Sequence, residues 1–299
     1  MSILFPHEIV NAVSTELQSA TESVQIITAY CKQNAFQILD GSINSCVCNK
    51  RLMLRFRLDD IVKGSTDFSV LEYGLQNGWK VYIRFDLHAK TYIVDNKRGI
   101  VGSANATGSG LALSKRSNLE MATLTDMDGS DLKKIESLYD DAILVDSVLV
   151  EKMKAQIPST SANIGSIGLT WDSEITKLFS PKVSSLFSHE LPENDTYEAN
   201  QYIDFLDIEY DGDIDYLKSQ LRWSNAYLWL MGILEDNGGE LYFGAITEKL
   251  HDALVTDPKP YRRDVKRLLA NLLTMIDNLQ MPEIIIDRPN YSQRVRLVK

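Results

Sequence analysis

Apolar residues recur at two different spacings along this chain, and the way the spacings trade places sets out the architecture. Ile9, Val10, Val13 and Leu17 fall at helical intervals and predict a helix over residues 6–20. Residues 24–30 follow as an unbroken run rich in Val, Ile and Thr, which predicts a strand. The exchange then repeats: helix over 35–43, strand over 51–56, helix over 68–76 ending at Gly78, strand over 79–85. Residues 91–94 and 98–103 predict two further strands, with a tight turn at Asn96–Lys97 between them. Another strand is predicted over 119–125, then a helix over 131–155 broken near Val145. Strands alternating with helices imply an α/β sandwich covering residues 1–157.

Residues 158–168 are small, polar and Gly- and Ser-containing, and read as a linker. Residues 158–217 as a whole combine that linker with an acidic segment, and 169–191 show no clear period. Periodicity returns over 218–299. Helices are predicted over 226–235, 245–255 and 261–279, a short strand over 240–243, and a hairpin from 283–287 and 292–298. Asn237-Gly238-Gly239 stops the first of these helices. Helix, strand, helix, helix, hairpin is the order of a winged helix, so a smaller winged-helix-like α+β domain is expected after the sandwich. The exposed start of its longest helix carries Arg262, Arg263, Lys266 and Arg267, and Arg288 stands at the hairpin tip. These five are the candidate nucleic-acid contacts, with the helix suited to a major groove.

Composition leaves this picture intact: 299 residues, 44% hydrophobic and 24% charged, are ordinary for a globular protein of two domains. No apolar run reaches the roughly 20 residues of a membrane span, and the first residues lack a signal-peptide pattern. Cys31, Cys46 and Cys48 are too few and odd in number for a disulfide framework, which fits a reducing cytoplasm. Neither they nor the four histidines have zinc-ligand spacing, so no metal and no cofactor is expected. The segment from Asp207 resembles a calcium loop only superficially, because Lys218 stands where a bidentate Glu is required. Net charge is −10, but it is unevenly spread. Every charged residue from Glu190 to Asp215 is acidic, while basic residues predominate after Lys259. Local charge, not the total, governs binding to a phosphate backbone. The acidic run is a solvated segment or a strap over the protein's own basic groove.

The chemistry is concentrated between His88 and Glu120. His88 and Lys90 are two apart, as are Ser103 and Asn105, so each pair would share one face of its strand. A hairpin would bring the two faces side by side. Lys90 would then neutralise phosphate charge, Ser103 and Asn105 would donate hydrogen bonds, and His88 would serve as nucleophile. Gly102 would let backbone approach a substrate closely.

The spacing H-x-K-x4-D-x6-G-S-x-N over His88, Lys90, Asp95, Gly102, Ser103 and Asn105 resembles the HKD motif of the phospholipase D superfamily at every defining position. Asn118-Leu119-Glu120 resembles that family's N-x-E segment. The resemblance implies a phospholipase D-like α/β sandwich, a covalent phosphohistidine on His88, and Glu120 as the carboxylate that orients the nucleophilic histidine through its other ring nitrogen. Asp95 is implied to be structural. The family's site holds two motifs and this chain has one, so the resemblance implies a homodimer with a composite site. Single-motif relatives without membrane elements suggest a metal-independent endonuclease, acting on DNA in restriction or phage defence, with further defence-system subunits as partners. A phospholipid-hydrolysing enzyme and a non-catalytic nucleic-acid-binding scaffold are the alternatives.

Overall fold

A computed structural model describes residues 2–157, 169–179, 181–194, 205–206, 208, 212 and 214–298. The predicted linker, 158–168, and most of the acidic segment lie outside the described residues. The chain divides into two compact units, Met1–Phe179 and Ser180–Lys299.

The first unit is built on an eight-stranded sheet. Its strands are β1 (Ile3–Leu4), β2 (Ser23–Thr28), β3 (Asn49–Arg55), β4 (Trp79–Arg84), β5 (Lys90–Val94), β6 (Arg98–Gly102), β7 (Ala122–Asp126) and β8 (Ile143–Leu144). They lie in the order β1-β7-β6-β5-β2-β3-β4-β8. β2, β3 and β4 run parallel, and every other pairing is antiparallel. The helices between strands are α1 (Pro6–Ser19), α2 (Gln33–Ser42), α3 (Leu58–Val62), α4 (Ser69–Gln76) and α5 (Gly129–Asp140), and α6 (Ser147–Lys154) and α7 (Ser173–Thr176) follow β8. All six residues of β2 are buried because helices cover both faces of the sheet centre. On one face Tyr139 of α5 packs with Ile27, Met53 and Ile93. On the other, α1, α2 and α4 pack against one another and against strands β4, β5 and β6.

Several local features depart from the sequence pattern. The stretch 131–155 is two helices separated by β8. Asp128 and Asp146 cap them, accepting from Ser130 N (2.7 Å) and Leu149 N (2.7 Å). The turn between β5 and β6 is centred one residue early, at Asp95–Asn96, both with φ near +50° (52° and 53°). Asp and Asn tolerate that left-handed conformation, and a two-residue turn with both φ positive matches strand twist. The first unit also runs on past residue 157. Trp171 stacks on Phe56 with ring centroids 6.2 Å apart and donates from Nε1 to the Phe56 carbonyl at 2.6 Å.

The second unit contains α8 (Ile214–Arg222), α9 (Asn225–Asp236), β9 (Glu240–Tyr242), α10 (Phe243–Ala253), α11 (Arg262–Asn278), β10 (Ile284–Asp287) and β11 (Arg294–Leu297). β9 joins the hairpin in a three-stranded antiparallel sheet, β10-β11-β9. Trp229, Leu230, Leu250, Leu269, Leu272 and Val295 lie in its core. Gly238 and Gly239 end α9 with φ of 77° and 86°, a conformation that favours glycine.

Candidate active site

The direction of the strands gathers the motif at one edge of the large sheet. β2, β3, β4 and β6 end there, while β5 and β7 begin there. Lys90 opens β5 opposite Thr28, the last residue of β2. Gly102 closes β6 opposite Ala122, the first residue of β7. His88, Ser103, Asn105 and Glu120 sit in the segments just outside these strand ends, not on the strands as the spacing suggested. They are thus carried on short connections anchored by a rigid sheet.

Each side chain has a distinct environment. Lys90 is only 8% exposed, and its Nζ donates to the His88 carbonyl at 2.6 Å. Burial and the neighbouring Arg55 push its ammonium below the ordinary lysine range, and Glu120 partly opposes them. His88 is exposed. Desolvation, followed by the charges of Lys90, Arg55 and Arg57, holds its imidazole below the usual histidine value, against a smaller pull from Asp60. Asn105 accepts through Oδ1 from the Tyr30 backbone N at 3.0 Å. That bond turns the carboxamide so that Nδ2 remains available to a ligand. Glu120, 7% exposed, accepts from the Ser103 hydroxyl and from Asn118 Nδ2 (3.0 Å).

Three expectations change here, the first being that Glu120 bonds Ser103 and Asn118 in its own chain and not His88. Gly102 does not make room for a substrate. A Cβ at that position would lie 2.4 Å from the Met121 carbonyl and 2.5 Å from the Ala122 Cβ, so the missing side chain lets β7 lie close to β6. The Ser103 hydroxyl is not a free donor, because it is committed to Glu120 and receives Met121 N at 3.1 Å. Asp95 sits away from this edge, in the β5–β6 turn. Its carboxylate accepts from the backbone N of Thr21, Glu22 and Ser23 at 2.7–3.2 Å, and from the Thr21 hydroxyl at 2.9 Å. Burial alone would raise this carboxyl, but those donors outweigh it and hold it low.

The sequence reading missed a cationic group at the same edge. Arg55 ends β3 and is clamped by Asp60, with Nε–Oδ2 and Nη2–Oδ1 both at 2.8 Å. It also donates to the Tyr30 hydroxyl at 2.6 Å and lies over that ring, 4.7 Å from the centroid. Arg57 follows two residues on. In sequence these arginines only flank a strand, and no spacing connects them to His88.

Residues 13–140 match the family described as cardiolipin synthase, PLD-like domain. That stretch of the first unit is a phospholipase D-like domain. No curated protein matches the chain. Among solved structures, this domain is similar to a phospholipase D family member, Nuc, from Salmonella typhimurium. Identity is 17% and the TM-score 0.40, over 49% of this chain and 99% of that one. It is similar to NucT from Helicobacter pylori at 17% identity and TM-score 0.36, over 48% and 98% of the two chains. Phosphatidylserine synthase from Haemophilus influenzae Rd KW20 aligns at 13% identity and TM-score 0.39, over 48% of this chain and 37% of that one. Among the described residues no helix is long and apolar enough to cross a membrane.

In the second unit, Arg262, Arg263, Lys266 and Arg267 are all exposed on the first turns of α11, and Arg288 is exposed beside the 3-10 turn Pro289–Tyr291 of the hairpin. Arg267 donates from Nη1 to the Glu193 carbonyl at 2.9 Å.

Proposed function

We propose that this chain is a phosphodiesterase that cuts DNA through a phosphohistidine on His88, at a site completed by a second copy of the chain. The observation that carries the reading is the convergence of His88, Lys90, Ser103, Asn105 and Glu120 at one sheet edge, with the motif present once per chain. The lowered pKa favours the unprotonated imidazole of His88, which attacks phosphorus while His88 of the partner subunit carries a proton. An N–P bond forms as the P–O bond to the leaving alkoxide breaks. Lys90 and Asn105 Nδ2 meet the negative charge on the non-bridging oxygens, so the chemistry needs no metal. Glu120 positions Ser103 within its own chain.

The leaving alkoxide needs a proton, and the water that later hydrolyses the phosphohistidine must lose one. A twofold-related imidazole, His88 of the partner subunit, supplies both steps in turn. Exposed apolar residues beside the site favour such a pairing. Leu119 and Met121, on either side of buried Glu120, are 83% and 56% exposed, and Ile3 and Phe5 at the adjoining β1 are 68% and 48% exposed.

We read the second unit as winged-helix-like and as the DNA-binding part, through Arg262, Arg263, Lys266, Arg267 and Arg288. A compact nuclease with its own binding domain suits restriction or phage defence in the cytoplasm, alone or with further subunits.

The test is to incubate the purified full chain with labelled plasmid, oligonucleotides and phospholipid vesicles in parallel, with EDTA present. DNA cleavage that survives the chelator, labelled phosphate trapped on the protein, and loss of both in His88→Ala are expected. Abolition by EDTA would overturn the mechanism. Turnover of vesicles alone would make it a lipid enzyme. Full biological activity in His88→Ala would make it a scaffold.

A further inference from the structure

Three arginines and two carboxylates meet where β3 and β4 end. Arg55 is bonded through two nitrogens to Asp60 at 2.8 Å. Arg84 is bonded the same way to Asp86, with both contacts at 3.0 Å. Bidentate pairing of this kind commits both oxygens of each carboxylate. Arg57 lies among them with no carboxylate left over. Its one side-chain hydrogen bond among the described residues runs from Nε to the Phe85 carbonyl at 2.5 Å, and it has no ion pair there.

That bond fixes where the guanidinium lies. Phe85 is three residues before His88, at the sheet edge that carries the motif. Nε is taken, so the two terminal nitrogens, with four N–H bonds, are left to point elsewhere. The bond draws the side chain to the end of β4, where residues 85–89 lead across to β5, and the Arg57 charge is felt at the His88 imidazole. Arg57 is a partly buried cation with an unanswered charge. Desolvation, and then Arg55 beside it, lower its pKa, and Asp60 and Asp86 only partly offset them. An arginine in this condition is relieved by an anion.

We infer that Arg57 holds a second phosphate, the one flanking the scissile phosphate in a polynucleotide strand, while Lys90 and Asn105 hold the scissile one. This deepens the function proposed above and rests on it for the identity of the polymer. A phospholipid with a single phosphodiester has no flanking phosphate, so the subsite selects a nucleic acid strand over such a lipid. Arg55 contributes by position: clamped by Asp60 and Tyr30, it cannot swing in to take the anion itself and repels Arg57 toward it.

The experiment compares a duplex oligonucleotide with bis(p-nitrophenyl) phosphate, a diester with no neighbouring phosphate. In Arg57→Gln the ratio of kcat/KM for oligonucleotide to that for the small diester should fall roughly tenfold. Arg57→Lys, which keeps the charge without the fork, should fall in between. A ratio unchanged in both variants, or equal losses on both substrates, overturns the inference. A second readout is independent of turnover. Inorganic phosphate, at matched ionic strength, should raise the Tm of Lys90→Ala, and adding Arg57→Gln should remove the rise. No phosphate effect in Lys90→Ala with Arg57 intact also overturns it. If the wild-type chain cleaves neither diester, the proposed catalysis fails on its own account, and the phosphate titration still judges Arg57.

Discussion

The Ser103 hydroxyl donates to the Glu120 carboxylate, tying the end of β6 to the approach of β7. Asn118 Nδ2 holds the second oxygen at 3.0 Å. Glu120 is therefore a positioning residue within its own chain, and its charge also favours the protonated form of Lys90. Glu120→Ala should lower kcat roughly 100-fold. The sign of its pH effect follows from the charge. Without the carboxylate, Lys90 loses its proton at lower pH, so the basic limb of the pH–rate profile moves toward neutrality. A basic limb that stays in place would show that Glu120 acts on Ser103 alone.

The His88 imidazole is expected to titrate below an ordinary histidine, by NMR of its ring protons across pH. Lys90→Met removes the largest of the charges depressing it, so the His88 pKa should rise toward the ordinary value. The acid limb of phosphoryl transfer to His88, followed in a single turnover, should shift to higher pH with it. An imidazole insensitive to Lys90→Met would mean that burial and the two arginines set the shift without Lys90.

Asp95 lies at the opposite end of β5 from Lys90 and braces the α1–β2 connection through three backbone N–H groups and one hydroxyl. Asp95→Ala loses these bonds and puts alanine at φ 52°, costing about 2–3 kcal/mol. Its carboxyl is held low in the folded chain, so its stabilisation is complete above the unfolded pKa of about 3.9 and fades as pH falls through the folded value. Urea unfolding should show a large gap between wild type and Asp95→Ala at pH 7 that narrows as the pH falls through the folded-state value. Catalysis per folded molecule should change little, since Asp95 touches none of the groups at the active edge.

Replacing Arg262, Arg263 and Lys266 together by alanine should weaken duplex binding by a similar factor for all sequences. The plot of log K against log salt should flatten by about 0.9 for each phosphate that is no longer neutralised. Unaltered affinity and slope in gel-shift or anisotropy titrations would show that α11 serves something other than DNA.

The frame of the first unit was legible because its strands carry β-branched runs and its helices carry a one-sided apolar stripe. Ile9, Val13 and Leu17 are all fully buried on α1, as their spacing predicts. The motif residues were legible because the chemistry constrains residue type at fixed intervals. What escaped detection depends on distant contacts. Arg57 is distinguished only by which carboxylates its neighbours have already taken. Ile143 and Leu144 sit inside a helical pattern and become β8 because β4 offers them a free edge at Tyr82 and Ile83. Trp171 joins the first unit by stacking on Phe56, a pairing 115 residues apart that no local period records.

Both margins of the large sheet end in strands of two residues, β1 on one side and β8 on the other. Neither two-residue strand is by itself long enough to template a lengthening ribbon. At β1 and β8 any contact between copies would rest on side chains, which can be tuned residue by residue, more than on a shared peptide ladder.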